Sequence, residues 1–126
     1  MAERLLAKEI SIDLFISSPA MRAITTAGYF AEAYQVGKEK IKTFRQLYHA
    51  PPAVFYEVAS SVEDRYHTVA IFSHNPGITS FVNELTNTRI DNMPTCAVFA
   101  VSADIEHWRD FETGKKSFWF FDYPKL

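Results

Sequence analysis

The chain has a single cysteine, Cys96, among its 126 residues. That count rules out an intrachain disulfide and any cysteine-rich metal centre. No apolar run approaches the roughly 20 residues of a membrane-spanning helix, and Met1 is not followed by a signal-peptide pattern. Charge of one sign is also lacking: the formal net charge is −2, which gives no electrostatic reason to expect nucleic acid as a partner. Clustered metal ligands, a phosphate-cradling P-loop and a dinucleotide fingerprint are all missing, so no metal and no cofactor is expected. These absences describe a soluble, reducing, cytoplasmic protein without a membrane role.

What is present is apolar material, 48% of the chain, of which a third is aromatic when the 15% of Phe, Trp and Tyr is set against it. That suffices for the core of one domain over residues 1–126. Val69-Ala70-Ile71-Phe72 reads as a buried strand, and Ser73-His74-Asn75-Pro76-Gly77 follows it. Asn75 and Pro76 have the character of a helix N-cap and a preset first helical position. His74 is therefore expected where a strand ends and a helix begins, the position at which open parallel sheets form ligand crevices and helical N–H groups favour anions. Alone, such a histidine is most simply a polar residue bonded to a loop.

A second copy of the same local design changes that reading. Asp13 to Ile16 leads through Ser17, Ser18 and Pro19 into a helix whose early turns carry Arg22. A guanidinium there can reach an anion held at the same crevice. Arg22, His74 and Asn75 are thus the expected phosphate-binding residues, with Arg22 and His74 the candidate catalytic pair.

The remaining pattern gives a helix at the very start, with Met1, Leu5 and Leu6 on one face and no capping residue before it. A strand over 12–17 follows, then a helix over 19–34 with Met21, Ile24, Thr25, Gly28 and Phe30 toward the core. Gly28 is expected to mark close packing on the sheet. A short strand over 40–44, a loop through His49 to the Pro51-Pro52 pair, a helix over 53–64 and a helix over 76–87 come next. Strands over 95–102 and 116–123 end the chain as an antiparallel pair, since no helical pattern separates them. Asp91 and Asn92 are candidates for the mouth of the crevice or for a turn, and Cys96 reads as a small buried strand residue. His49 reads as a solvated loop residue, His67 lies at the wrong end of its strand for the crevice, and His107 falls in a distal loop.

Three segments together, Ser17-Ser18-Pro19-Ala20-Met21-Arg22-Ala23-Ile24-Thr25-Thr26-Ala27, Ser73-His74-Asn75-Pro76-Gly77 and Met93-Pro94-Thr95-Cys96, resemble the phosphohistidine phosphatase branch of the histidine phosphatase superfamily. The resemblance implies a three-layer α/β/α fold of the phosphoglycerate mutase-like type, a mainly parallel sheet with an antiparallel C-terminal edge. It also implies that Arg22 is the clamping arginine, that His74 is the second active-site histidine, and that the substrate is a phosphorylated protein or a small phosphoester. The chain departs from the family in one respect. Members begin with a strand ending in an Arg-His-x signature, whose histidine becomes phosphorylated, and no Arg-His pair occurs here. The uncapped first helix agrees with a chain that starts just after that strand, so a truncated product, a displaced start codon or a fragment is expected. The resemblance places the absent strand between those carrying Arg22 and His74. On this reading the chain by itself has weak phosphatase activity or none. The alternatives are a non-catalytic phosphate- or phosphoprotein-binding remnant and a fragment unable to fold.

Overall fold

The computed structural model describes residues 1–124. They form a mixed α/β structure with a parallel three-strand sheet and a separate antiparallel pair, as the sequence pattern leads one to expect. Two compact units are distinguished, one made of Met1–Tyr48 and Arg65–His74, the other of His49–Asp64 and the chain from Asn75 onward. No helix among the described residues is long and apolar enough to cross a membrane.

The first unit is built on strands β1 (Leu14–Ser17), β2 (Lys42–Thr43) and β3 (Val69–Phe72), in the order β2-β1-β3 and all parallel. All four residues of β1 are buried, which is what the near-continuous apolar run of a strand flanked on both sides requires. β3 is flanked on one side only, and its four residues are half-buried. The register pairs Leu14 with Val69 and Ser17 with Phe72. Asp13 fixes the strand starts, accepting hydrogen bonds from the backbone N–H groups of His67 and Thr68 at 2.8 and 3.0 Å. This direct pairing overturns the expectation of a strand lying between β1 and β3: the backbone groups of the two strands already satisfy one another.

Parallel strands need a crossover, and α2 (Met21–Ala33) supplies it between β1 and β2. Its buried row is Ala23, Ala27, Gly28, Phe30 and Ala31, while Met21 and Thr25 face solvent. The stripe is thus rotated from the one read in the sequence, because three alanines let the helix axis approach the sheet while Phe30 inserts against Phe72, ring centroids 5.2 Å apart. Phe72 also stacks on Phe15 at 6.3 Å. Gly28 is buried as well, and a Cβ there would meet the Lys38 side chain at 3.4 Å. In α1 (Ala2–Ala7) the buried residues are Ala2 and Leu5, and Leu6 is exposed, so the apolar face is narrower than expected.

The second unit contains α3 (Pro52–Ser60), α4 (Gly77–Leu85) and the antiparallel strands β4 (Val98–Asp104) and β5 (Lys115–Asp122). Ile78, Phe81, Val82 and Leu85 are buried along α4, following the expected helical spacing. Phe55 of α3 stacks on Phe81 at 4.7 Å, and Tyr56 meets the same ring edge-on. Gly77 is required by close approach: a Cβ there would fall well inside contact distance of the Ala50 carbonyl oxygen. Lys116 is held by the carbonyls of Phe111, Glu112 and Gly114, at 2.7, 3.1 and 2.9 Å, and burial pushes its pKa down. Asp64 ties the end of α3 to the β4–β5 connection, accepting from Nδ1 of His107 at 2.8 Å and from the N–H of Trp108 at 2.9 Å.

Two outcomes are expected from this packing. Gly77→Ala should destabilise the fold by about 1–3 kcal/mol through overpacking, read as a lowered thermal midpoint; an unchanged midpoint would show that the Ala50 carbonyl yields freely. Asp64 should shape the acid limb of stability. Its carboxyl is held below the ordinary value by the His107 hydrogen bond, with the Trp108 N–H second. A carboxyl depressed in the folded state stabilises at pH above its unfolded value of about 4, and that contribution is lost as pH falls through the folded value. Asp64→Asn should therefore lower the unfolding midpoint at pH 7, with the difference from wild type shrinking as the pH drops toward the folded value. A difference that stays constant across that range contradicts the assignment.

Candidate functional site

Because β1, β2 and β3 are parallel and in register, their chain exits lie at one edge of the sheet. At the exit of β1 two fully buried serines turn the backbone: Ser17 Oγ donates to the Ser18 carbonyl at 2.8 Å, and Ser18 Oγ accepts the Ala20 N–H at 3.1 Å. Ser18 N–H in turn donates to the Phe72 carbonyl at 2.9 Å, locking this exit to that of β3. The turn makes Ala20 the residue before α2 and puts Arg22 in the first turn of that helix, where exposed N–H groups carry partial positive charge. Arg22 is exposed, and among the described residues its guanidinium makes no hydrogen bond and no ion pair.

His74 stands two residues beyond β3. It is half-buried, its Nδ1 is shielded from solvent, and its ring meets that of Tyr48 edge-on with centroids 5.8 Å apart. The structure thus brings the chain positions of Arg22 and His74 to the same edge of one sheet. An arginine fork and an imidazole at such an edge can present donors to the oxygens of a tetrahedral anion.

Asn75 behaves differently from the expectation. The residue preceding α4 is Pro76, without a side-chain cap, and Asn75 is not the cap. Its Oδ1 accepts from the Thr79 hydroxyl and its Nδ2 donates to the Met93 carbonyl at 2.9 Å, while Met93 N–H donates to Thr79 Oγ1 at 3.0 Å. With its donors directed at Met93, Asn75 serves to tie the 86–94 loop to the start of α4. Asn83 repeats the device one turn further along, bonding both backbone groups of Ile90. Asp91 and Asn92 lie exposed between these two anchors.

The other singled-out residues separate cleanly. His67 sits at the opposite edge, where the strands begin, and His107 is engaged with Asp64. His49 is exposed with φ 54°, in the left-handed region. Cys96 is not a strand residue: it occupies a turn two residues before β4, half-buried, with φ 62°. Tyr48 and Arg45 carry the positions that sequence reasoning missed. They follow β2 by two and five residues, and the signal available was their placement after a parallel strand.

No protein-family profile and no curated protein matches this sequence. Among solved structures the chain is similar to a protein of Nakamurella multipartitia provisionally described as the phosphohistidine phosphatase SixA. The TM-score is 0.80 at 14% identity, over 99% of this chain and 78% of that one. At that identity the likeness establishes a shared fold.

The loop anchor yields its own test. Thr79→Val removes the hydroxyl that bridges Asn75 and Met93, and a net hydrogen bond of about 1 kcal/mol corresponds to roughly fivefold faster amide exchange at Met93. Exchange measured by NMR should show that acceleration at Met93 while Ile90, held by Asn83, stays protected. Equal acceleration at both would mean that the loop opens as one piece and that Thr79 is not a separate anchor.

Proposed function

We propose that the chain is a phosphohistidine phosphatase-like phosphohydrolase whose phosphoryl site is formed by Arg22 and His74. The observation that carries this reading is their placement at one edge of a parallel sheet, Arg22 in the first turn of α2 and His74 just beyond β3. In phosphoryl transfer the charge builds on three equatorial oxygens, and preorganised cationic donors supply most of the stabilisation. Arg22 gives a bidentate clamp for two such oxygens. His74 gives a third donor, or a proton to the leaving group, with its ring bordered by Tyr48. The fold shared with a protein provisionally described as a phosphohistidine phosphatase supports the same reading.

Chemistry of this type needs an in-line nucleophile, and none of the four histidines is preceded by arginine as the family signature requires. That observation favours a second reading for these residues on their own, a phosphate- or phosphoprotein-binding module. The two readings converge on one site and differ only in whether a strand bearing Arg-His-x joins it. β1 is hydrogen-bonded on both sides, so an added strand pairs at an outer edge of the sheet; that of β3, adjoining His74, brings a nucleophile to the site.

Calorimetric titration with phosphate and tungstate should show binding to the present chain. The Arg22→Ala, His74→Ala double variant should lose it; equal binding by both proteins rejects the site. Chemistry should depend on the additional strand. A chain preceded by a strand ending in Arg-His-x should unfold at higher temperature and hydrolyse phosphoramidate substrates through an acid-labile phosphoenzyme. In that protein Arg22→Ala should lower kcat/KM on the order of 10²-fold, while His67→Ala, at the far edge, leaves it nearly unchanged. Hydrolysis by the present chain as fast as by the extended one would place the nucleophile within these 126 residues.

A further inference from the structure

The segment leaving β2 does not stay on its own side of the sheet. β2 and β3 flank β1 on opposite sides, about 10 Å apart at normal strand spacing. Yet the ring of Tyr48, five residues beyond Thr43, lies 5.8 Å from that of His74, beyond β3. Residues 44–48 therefore arch across the exit of β1. Their path is fixed by the Phe44 N–H bonded to the Ser17 carbonyl at 3.1 Å, by the short 3-10 turn Arg45–Leu47, and by Leu47, which is fully buried. What this arch presents outward is Tyr48, 52% exposed, and Arg45, whose guanidinium makes no hydrogen bond or ion pair among the described residues.

No aspartate or glutamate occurs in residues 14–31, 40–48 or 65–74, the strands and exits that make this edge, although the whole chain is net negative. Each strand exit carries its own basic or titratable group: Arg22 after β1, Arg45 after β2 and His74 after β3. One phosphoryl group engages Arg22 and His74 on the proposed reading, which leaves Arg45 for a second anion.

Arg45 and Tyr48 are both exposed at this edge. Small-molecule sites are concave and envelop most of the ligand, whereas an exposed cationic shelf with an aromatic ring suits a chain segment laid across it.

From this arrangement, and resting on the phosphoryl site proposed above, we propose that Arg45 and Tyr48 form a second subsite that reads the polypeptide around the phosphoryl group. The ligand is a phosphorylated protein segment with an acidic residue beside the modified side chain. Tyr48 packs against the peptide, and Arg45 pairs with the flanking carboxylate.

The test uses the full chain and four probes in NMR titrations. They are inorganic phosphate, the bis-phosphate of 1,4-butanediol, a pentapeptide centred on the stable phosphohistidine mimic phosphoryltriazolylalanine and flanked by glutamates, and the same peptide flanked by alanines. Wild type should bind the glutamate peptide about two- to fivefold more tightly than the alanine peptide, the range expected of one exposed charge pair with good geometry. Arg45→Glu should abolish or invert that preference, and Tyr48→Ala should weaken both peptides. Arg45→Glu should change the affinity for inorganic phosphate far less than it changes the preference between the two peptides. A peptide preference that survives Arg45→Glu overturns the proposal, as does a bis-phosphate that binds as tightly as the glutamate peptide and is indifferent to Tyr48→Ala. Arg22→Ala separates the two claims: it should weaken all four probes. Phosphate affinity that is insensitive to Arg22→Ala removes the phosphoryl site itself and the subsite with it, whereas an intact Arg22 effect with no Arg45 effect removes the subsite alone.

Discussion

Everything proposed for this protein depends on the direct parallel pairing of β1 with β3. Four consecutive residue pairs, Leu14 with Val69 to Ser17 with Phe72, bring the two strand exits side by side. The Ser18 N–H to Phe72 carbonyl bond extends the ladder one step into the turn. Had the strands been antiparallel, Arg22 and His74 would stand at opposite ends of the sheet. The alternation of strand and helix favours parallel pairing because a crossover helix must return the chain to the edge where it started. α2 meets that demand with a row of alanines, small enough for the helix to lie close and carry the first turn, with Arg22, up to the sheet edge.

The two units use different physics to hold their loops. In the first, backbone bonds and buried aliphatic or aromatic anchors, Leu47 and Phe30 among them, set the chain exits. In the second, side-chain amides and a hydroxyl hold the polar 86–94 segment: Asn75, Thr79 and Asn83 bond the backbone of Met93 and Ile90. A segment rich in turn residues cannot bury enough apolar surface to order itself, so discrete hydrogen bonds to a helix take over that role. Lys116 shows the same economy, its ammonium held by three backbone carbonyls in place of water.

Strand and helix identities were legible from periodicity, and so was the placement of Arg22 and His74 at strand exits. Three things were not. The rotation of α2 was hidden because Met21 and Ile24 outrank alanine in hydrophobicity, yet close approach to a sheet selects for small volume, and Ala23 and Ala27 are the residues buried. The role of Asn75 was misread because Asn before Pro has cap chemistry, while in the fold its amide is taken by Met93 and Thr79. Tyr48 was invisible as a neighbour of His74, since the two are 26 positions apart and meet only because the 44–48 segment crosses β1. The strand that the resemblance places between those carrying Arg22 and His74 has no room there, since β1 pairs with β2 on one side and with β3 on the other.

The proposed function requires that one tetrahedral oxyanion be held jointly by Arg22 and His74. A crystal structure of this chain grown with tungstate tests it most directly, since the metal locates the anion unambiguously. A tungstate is expected at the exits of β1 and β3, with the Arg22 guanidinium and a ring nitrogen of His74 each about 3 Å from its oxygens. An ordered tungstate elsewhere on the molecule, with both side chains turned away from a vacant edge, would contradict it.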